Sequence, residues 1–293
     1  MNIMKYLVRK LIKKMISISV RSNFFSNRFL DELISLHPHV IETYVREHGD
    51  KLVEALSDSQ KMAALESLCK THLLDVITLI NSQNSGSFRY TDNEGIKIVV
   101  GSGGQKMEGW LATDIDQLNI VEDSAWRRLF SPGNIDRVLA EHVLEHLSLQ
   151  EFDAALRNIY KYLKPGGIFR LAVPDAFHPS KYYYNLVKPG GWETPFEHKL
   201  FFDHELVSRI AGDVGFEVRL LEYFDENGIF HSTDYKNEDG VIQRCARHNV
   251  GLDTSNSEVM ANFYSSIPEH LRQQFLDNKL TYTSLIVDLV KLT

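Results

Sequence analysis

The chain has 293 residues, 43% of them hydrophobic, and a formal net charge of −7. That length carries one large domain with room for an appendage, and an acidic body is a poor long-range partner for polyphosphate, so nucleic acid is not expected as a ligand. No apolar run approaches the roughly 18 residues of a spanning helix, and two distant cysteines, Cys69 and Cys245, make no disulfide framework and suit a reducing, cytoplasmic setting.

The charge is unevenly spread. Lys5, Arg9, Lys10, Lys13, Lys14, Arg21 and Arg28 fall within residues 1–30, with no Asp or Glu among them. Met4, Leu7, Val8, Leu11, Ile12 and Met15 share one helical face, with the charges mostly opposite. The pattern predicts peripheral membrane contact through residues 1–22. A basic helix packed on the chain's own body or on a second copy, as in a homodimer, fits the same pattern, and an acid-free presequence ranks third. Apolar spacing predicts helices over residues 31–80, with Pro38 separating an early short one. The polar stretch "NSQNSGSFRYTDNEG", residues 81–95, reads as a linker. The expected domains are therefore a helical extension, 1–95, and a body, 96–293.

After the linker the texture changes. "IKIVV" is a short branched run expected as a buried strand, and it leads into Gly101-Ser102-Gly103-Gly104. "GWLATD" reads as a second strand ending at Asp114, and "IDRVLA" as another ending at Glu141. Ser148 to Glu151 form a capping box opening a helix with Phe152, Ala155, Leu156, Ile159 and Leu163 on one face, and "KPGG" stops it. "IFRLAV" is a strand closed by Pro174. A helix from about Asp203 to Gly212, the run "FEVRLLEYF" and the terminal strand "YTSLIVDLVKL" follow. Strands alternating with helices predict an α/β fold with a mostly parallel sheet covered on both faces.

A glycine turn after the first strand lets a ligand approach the backbone, and an acid ending the next strand suits ribose hydroxyls. Gly101, Gly103, Gly104 and Asp114 supply both parts. The set "VVGSGG", "GWLATDID", "AEHVLEHL", "LKPGGIFRLAVPD" and "YTSLIVDLVKL" resembles, in order, the class I S-adenosylmethionine-dependent methyltransferases. The run "VPDAFHPSKYYYNLVKPGG" with its later His-Lys pair is similar to a group of predicted methyltransferases of the type 11 kind. The resemblance covers about residues 96–293. It implies a Rossmann-like sheet with a terminal antiparallel strand, the cofactor S-adenosyl-L-methionine, and methyl transfer to a small molecule, sugar or glycan intermediate. It implies cofactor contacts from Gly101, Ser102, Gly103, Gly104, Asp114, Asp123, Glu141 and His142; Trp126 then either stacks on adenine or is the buried residue of a surface loop.

The segment after Pro174 is expected to line the acceptor pocket with Asp175, His178, Tyr182, Tyr184, His198 and Trp192. His178 is the first candidate for a general base, because an ordinary imidazole titrates near ~6.5; a turn histidine before Pro179, bound to a backbone carbonyl, fits the same position. Glu141 is the second candidate. His142-Val-Leu-Glu145-His146 also fits a zinc-peptidase pattern. The strand before it and the capped helix after Ser148 leave it as a loop or single turn, so no metal is expected. Three departures stand against the resemblance: Val99 where the superfamily carries an acid, Gln105 where it carries a third glycine, and a first crossover too short for an ordinary helix. The missing acid and third glycine favour the alternative of a non-catalytic scaffold binding a partner or membrane, whereas Asp114 and the intact "AEHVLEHL" favour the enzyme. Residues 225–279, an acidic insertion between the last two strands, suit a cap over the acceptor site or a dimer contact.

Overall fold

The computed structural model describes residues 95–103, 107–192, 197–248, 250 and 254–293. The amphipathic start, the helices of 31–80, most of the linker, Cys69 and Gly104 lie outside the described residues. The chain divides into two compact units, Met1–Asp136 and Arg137–Thr293. Among the described residues no helix is long and apolar enough to cross a membrane.

The described elements are β1 (Ile96–Val100), β2 (Leu111–Thr113), α1 (Asp123–Leu129), β3 (Ile135–Glu141), α2 (Leu149–Tyr162), β4 (Leu163–Pro174), α3 (Lys181–Val187), α4 (His204–Val214), β5 (Glu217–Phe224), β6 (Phe230–Ser232), α5 (Ser257–Ser265), α6 (Arg272–Asp277) and β7 (Ser284–Val290). The strand order in the seven-stranded sheet is β2-β1-β3-β4-β7-β5-β6. β1 and β2 run parallel, whereas β7 is antiparallel to both β4 and β5. The expected terminal antiparallel strand is therefore present, wedged between two strands that share a direction. All seven residues of β7, SLIVDLV, are buried, Ser284 and Asp288 among them.

In the first unit, the described residues between β1 and β2 form bends and turns, in keeping with the short crossover. Asp136 closes the foot of β1 by accepting from the Ile96 N–H at 2.8 Å.

In the second unit, α2 begins as its sequence dictates. The Ser148 hydroxyl accepts from the Glu151 N–H and the Glu151 carboxylate accepts from the Ser148 N–H. Its predicted face, Phe152, Ala155, Leu156, Ile159 and Leu163, is wholly buried. Gly166, the fourth residue of β4, takes a left-handed φ of 77 and donates its N–H to the Lys291 carbonyl at 2.6 Å. α4 starts on an Asp203 cap and ends on Gly215 at φ 111. β6 was not expected: it pairs antiparallel with β5 across an Asp225–Gly228 turn, in which Asp225 Oδ1 accepts from the Asn227 and Ile229 N–H groups.

The insertion builds a second core rather than a loose loop. Phe263, Ile267, Leu271 and Phe275 pack with Tyr183, Leu186 and Val187 of α3, with Phe224 at the end of β5, and with Leu280 and Tyr282 before β7. The cap therefore sits over the carboxyl ends of β4 and β5.

Candidate active site

The first unit holds the glycine loop. Gly101 (φ 60) and Gly103 (φ 54) both adopt left-handed backbone, which other residues take up at a cost. Asp114, at the end of β2, draws this loop onto itself. Its Oδ2 accepts from the Ser102 hydroxyl and its Oδ1 from the Gly103 N–H, each at 3.0 Å. The Ser102 N–H is committed to the Thr113 carbonyl. The Ser102 and Gly103 amides are thus used inside the protein. What the loop offers a ligand is open surface, because a Cβ on Gly103 would meet nothing within 4 Å. It also offers the second lone pair on each Asp114 oxygen.

In the same unit, Asp123 forms an ion pair with Arg127 one turn along α1. Trp126 is fully buried, and its indole N–H donates to the Ile120 carbonyl at 2.9 Å. Of the two readings of Trp126, the buried one is found, and a ring with no exposed face has none to give a base.

In the second unit, Glu141 ends β3 and serves the insertion. Its Oε1 accepts from the Gln243 and Arg244 N–H groups, at 3.1 and 2.7 Å, and its Oε2 is also 3.1 Å from the Gln243 nitrogen. His142 follows at φ 55, a strained conformation for a residue with a Cβ. Its N–H donates to the Ala172 carbonyl, and its Nε2 lies 2.9 Å from the Ser284 hydroxyl. The strain turns the imidazole inward, so that Nδ1 comes within 3.1 Å of Glu145 Oε1.

Glu145 is completely buried in the single turn Leu144–His146. Burial works against its charge, but the His142 imidazole, its own N–H and His198 outweigh that and hold the carboxyl below its usual range. His142 approaches closely but off axis, so neither Glu145 oxygen has a well-directed donor. Glu145, His146 and His198 each bring one ligand-type atom within 4.8 Å of the others.

His178 is placed in the second core. It is 4% exposed and stacks on Tyr183 with ring centroids 4.0 Å apart, and Phe224, Phe263 and Phe275 surround it. Its Nδ1 accepts from the Ser180 N–H and its Nε2 donates to the Thr281 carbonyl. Burial pushes its pKa down to about 3. A general base needs a nitrogen facing its substrate, and both nitrogens here face backbone.

Asp175 is equally buried. It accepts from the Phe177 and Phe224 N–H groups at 2.9 and 2.8 Å, and burial raises its pKa to about 7. Tyr182 is half-buried and packs edge-on against the exposed Trp192, while Tyr184 is exposed. His198 does not line a pocket with His178; its Nδ1 donates to the Val187 carbonyl at 2.6 Å.

Sequence reasoning missed a buried ion pair. Arg170 of β4 meets Asp288 of β7 through two parallel bonds of 2.7 Å, and its third nitrogen donates to the Lys236 and Gly240 carbonyls. The signal was available: a lone Arg in "IFRLAV" and a lone Asp in "LIVDLV" are opposite charges inside two apolar runs.

Among curated proteins, none matches the sequence. Solved structures with a similar chain include a putative methyltransferase in complex with the Haloferax volcanii Trm112 methyltransferase activator (14% identity, 68% of this chain and 82% of that one, TM-score 0.36). They also include a SAM-dependent methyltransferase from Archaeoglobus fulgidus (12%, 73% and 91%, 0.36) and a putative methyltransferase from Bacillus halodurans (15%, 74% and 99%, 0.35). The sequence model of a family described as a methyltransferase domain matches residues 57–221, more than half of the chain. With the strand order given above, the chain belongs to the class I methyltransferase family.

Proposed function

We propose that this protein is an S-adenosylmethionine-dependent methyltransferase acting on a small-molecule, sugar or glycan acceptor. The observation that carries the reading is the loop Gly101–Gly103, left-handed, open above Gly103 and fastened to Asp114, in a chain of this family. Gly101, Ser102, Gly103 and Asp114 fit the cofactor, with Gly104 joining them by sequence. When bound, the cofactor supplies a methyl group already activated by its sulfonium. Asp114 would accept from ribose hydroxyls through its remaining lone pairs. The protein's other task is to hold an acceptor in line and exclude water, and positioning alone contributes ~7–11 kcal/mol in favourable cases. The insertion core over the carboxyl ends of β4 and β5 suits that task.

A specific observation favours the second reading, a methyltransferase-fold scaffold. Both nitrogens of His178 and both oxygens of Glu141 are engaged within the protein, and Val99 replaces the usual acid. Under the enzyme reading, the same observation argues for an acceptor that needs no strong protein base, such as a neutral amine or an already ionised oxygen. The test is transfer of labelled methyl from S-adenosylmethionine to a panel of amines, sugars and lipid-linked glycans. Product formed by wild type and lost in Asp114→Ala supports the enzyme; cofactor binding without any product supports the scaffold.

Contact of residues 1–22 with an anionic membrane, a cytoplasmic or membrane-associated location, and a homodimer are proposed from the sequence pattern alone.

A further inference from the structure

The single turn after β3 and the segment 197–200 meet around one buried carboxylate. The Lys199 and Leu200 N–H groups donate to the Glu145 carbonyl at 2.7 and 3.1 Å, which fixes the two strips of chain side by side. This brings the His146 and His198 rings to an edge-on contact, with centroids 5.0 Å apart. Each ring is anchored through the same atom. His146 Nδ1 donates to the Glu197 carbonyl and His198 Nδ1 to the Val187 carbonyl. A carbonyl only accepts, so the proton is on Nδ1 in both rings, and each neutral ring keeps its lone pair on Nε2.

His198 Nε2 faces Glu145 Oε1 at 3.9 Å. Two acceptors turned toward each other repel, unless a proton or a metal cation lies between them. The Glu145 side chain is buried, and its one close polar side-chain neighbour besides His198 is His142, whose Nδ1 lies 3.1 Å from Oε1 without completing a well-directed hydrogen bond, so the carboxylate keeps lone pairs for a cation. An imidazole whose far N–H is held by a backbone carbonyl and whose near nitrogen faces a carboxylate is the usual dress of a metal ligand.

We propose that Glu145, His146 and His198 form a binding site for one divalent transition-metal ion of the zinc class. Two imidazoles and one carboxylate suit zinc, cobalt, nickel or ferrous iron, and not calcium or magnesium, which take oxygen ligands. The mutual separations of the ligand atoms, up to 4.8 Å, exceed the about 3.4 Å edge of a tetrahedron built from ~2.1 Å bonds. Small side-chain rotations close the difference. His142 is a positioning residue: held by Ser284 on one nitrogen, it steers the Glu145 carboxylate with the other. The fourth coordination position belongs to water. The H-x-x-E-H spacing thus marks a metal site after all, but one whose first histidine is the buttress and whose third ligand lies in the later His-Lys pair. The ion would staple segment 197–200 to the end of β3.

The proposal goes beyond the methyltransferase reading, and its test needs no activity. Full-length protein is stripped with chelator and titrated with Zn²⁺ by calorimetry, then with Co²⁺ by visible spectroscopy. The expected result is one tight equivalent, the intense bands of four-coordinate Co²⁺, and a raised melting temperature in Zn²⁺. His146→Ala and His198→Ala should each weaken binding at least tenfold, and His142→Ala by ten- to a hundredfold. His231→Ala, at a half-exposed histidine paired with Asp225, should bind as wild type does. Glu145→Gln tests the carboxylate directly; if it fails to fold, the histidine variants decide. No stoichiometric binding at micromolar Zn²⁺ would overturn the proposal. So would full binding in both His146→Ala and His198→Ala, because the ion would then sit elsewhere.

Discussion

Asp175 and His178 lie three residues apart, are both buried, and pull stability in opposite directions with pH. The folded protein holds the Asp175 proton up to about 7, against 3.8 in the unfolded chain, because burial disfavours the carboxylate. Between those values the folded state binds more protons, so this contribution is full below pH 3.8 and is lost as pH rises through about 7. His178 is the reverse. The unfolded imidazole takes its proton at 6.5 and the folded one only at about 3. Its contribution is present above pH 6.5 and is lost as pH falls toward 3. Each is worth up to roughly 4–5 kcal/mol, and over about pH 4–6.5 they offset one another. Chemical denaturation from pH 4 to 8 should therefore give a shallow profile in wild type. Asp175→Asn should make stability climb with pH, and His178→Phe should make it fall. Parallel profiles in all three proteins would contradict the placement of both side chains. A turn histidine tied to a backbone carbonyl is legible in "VPDAFHPS", but its burial is not, because Phe224, Phe263, Phe275 and Thr281 lie far along the chain.

The elements that sequence reveals are those fixed by their own neighbours. The capping box at Ser148 acts within one turn and stands where the pattern puts it, whereas α4 runs past the expected end at Gly212 and stops on the left-handed Gly215. β6 is not evident in the sequence although Asp225-Glu-Asn-Gly228 carries ordinary turn chemistry, because the strand after the turn is only three residues long, Phe230–Ser232. The pairing of β4 with β7 shows a harder limit. Residues 170 and 288 stand opposite each other only once register is set. Arg170 also fastens the insertion, through the Lys236 and Gly240 carbonyls, so one side chain serves strand register and cap together. Arg170→Met should cost about 3–5 kcal/mol, since it strands a buried carboxylate. Adding Asp288→Leu should recover much of that loss, because a pair of apolar groups leaves no uncompensated charge. A double variant as unstable as the single one would show that the contacts to the insertion, and not the ion pair, dominate.

At the scale of the molecule, each unit is legible to a different degree. The first presents the proposed cofactor loop, whose glycines and Asp114 are legible in the sequence. Its self-bonded amides are not, because they depend on how Ser102 and Gly103 fold back onto β2. In the second, the expected catalytic residues, Glu141 and His178, hold the cap together, and the chemistry-bearing cluster instead gathers on Glu145. The basic first 22 residues complete the proposed picture as a salt-sensitive membrane anchor. Sedimentation with anionic liposomes should pellet the full chain and spare a form lacking that segment; equal pelleting of both would remove the anchor. The central claim is that the Gly101–Gly103 loop and Asp114 bind S-adenosylmethionine. Calorimetry of the full chain with S-adenosylhomocysteine tests it most directly, because the product analogue needs no acceptor. A single site with saturable heat is predicted, weakened ten- to a hundredfold by Asp114→Ala through loss of a bond worth ~1.5–3 kcal/mol. No heat at millimolar ligand, or equal affinity in wild type and Asp114→Ala, would contradict it.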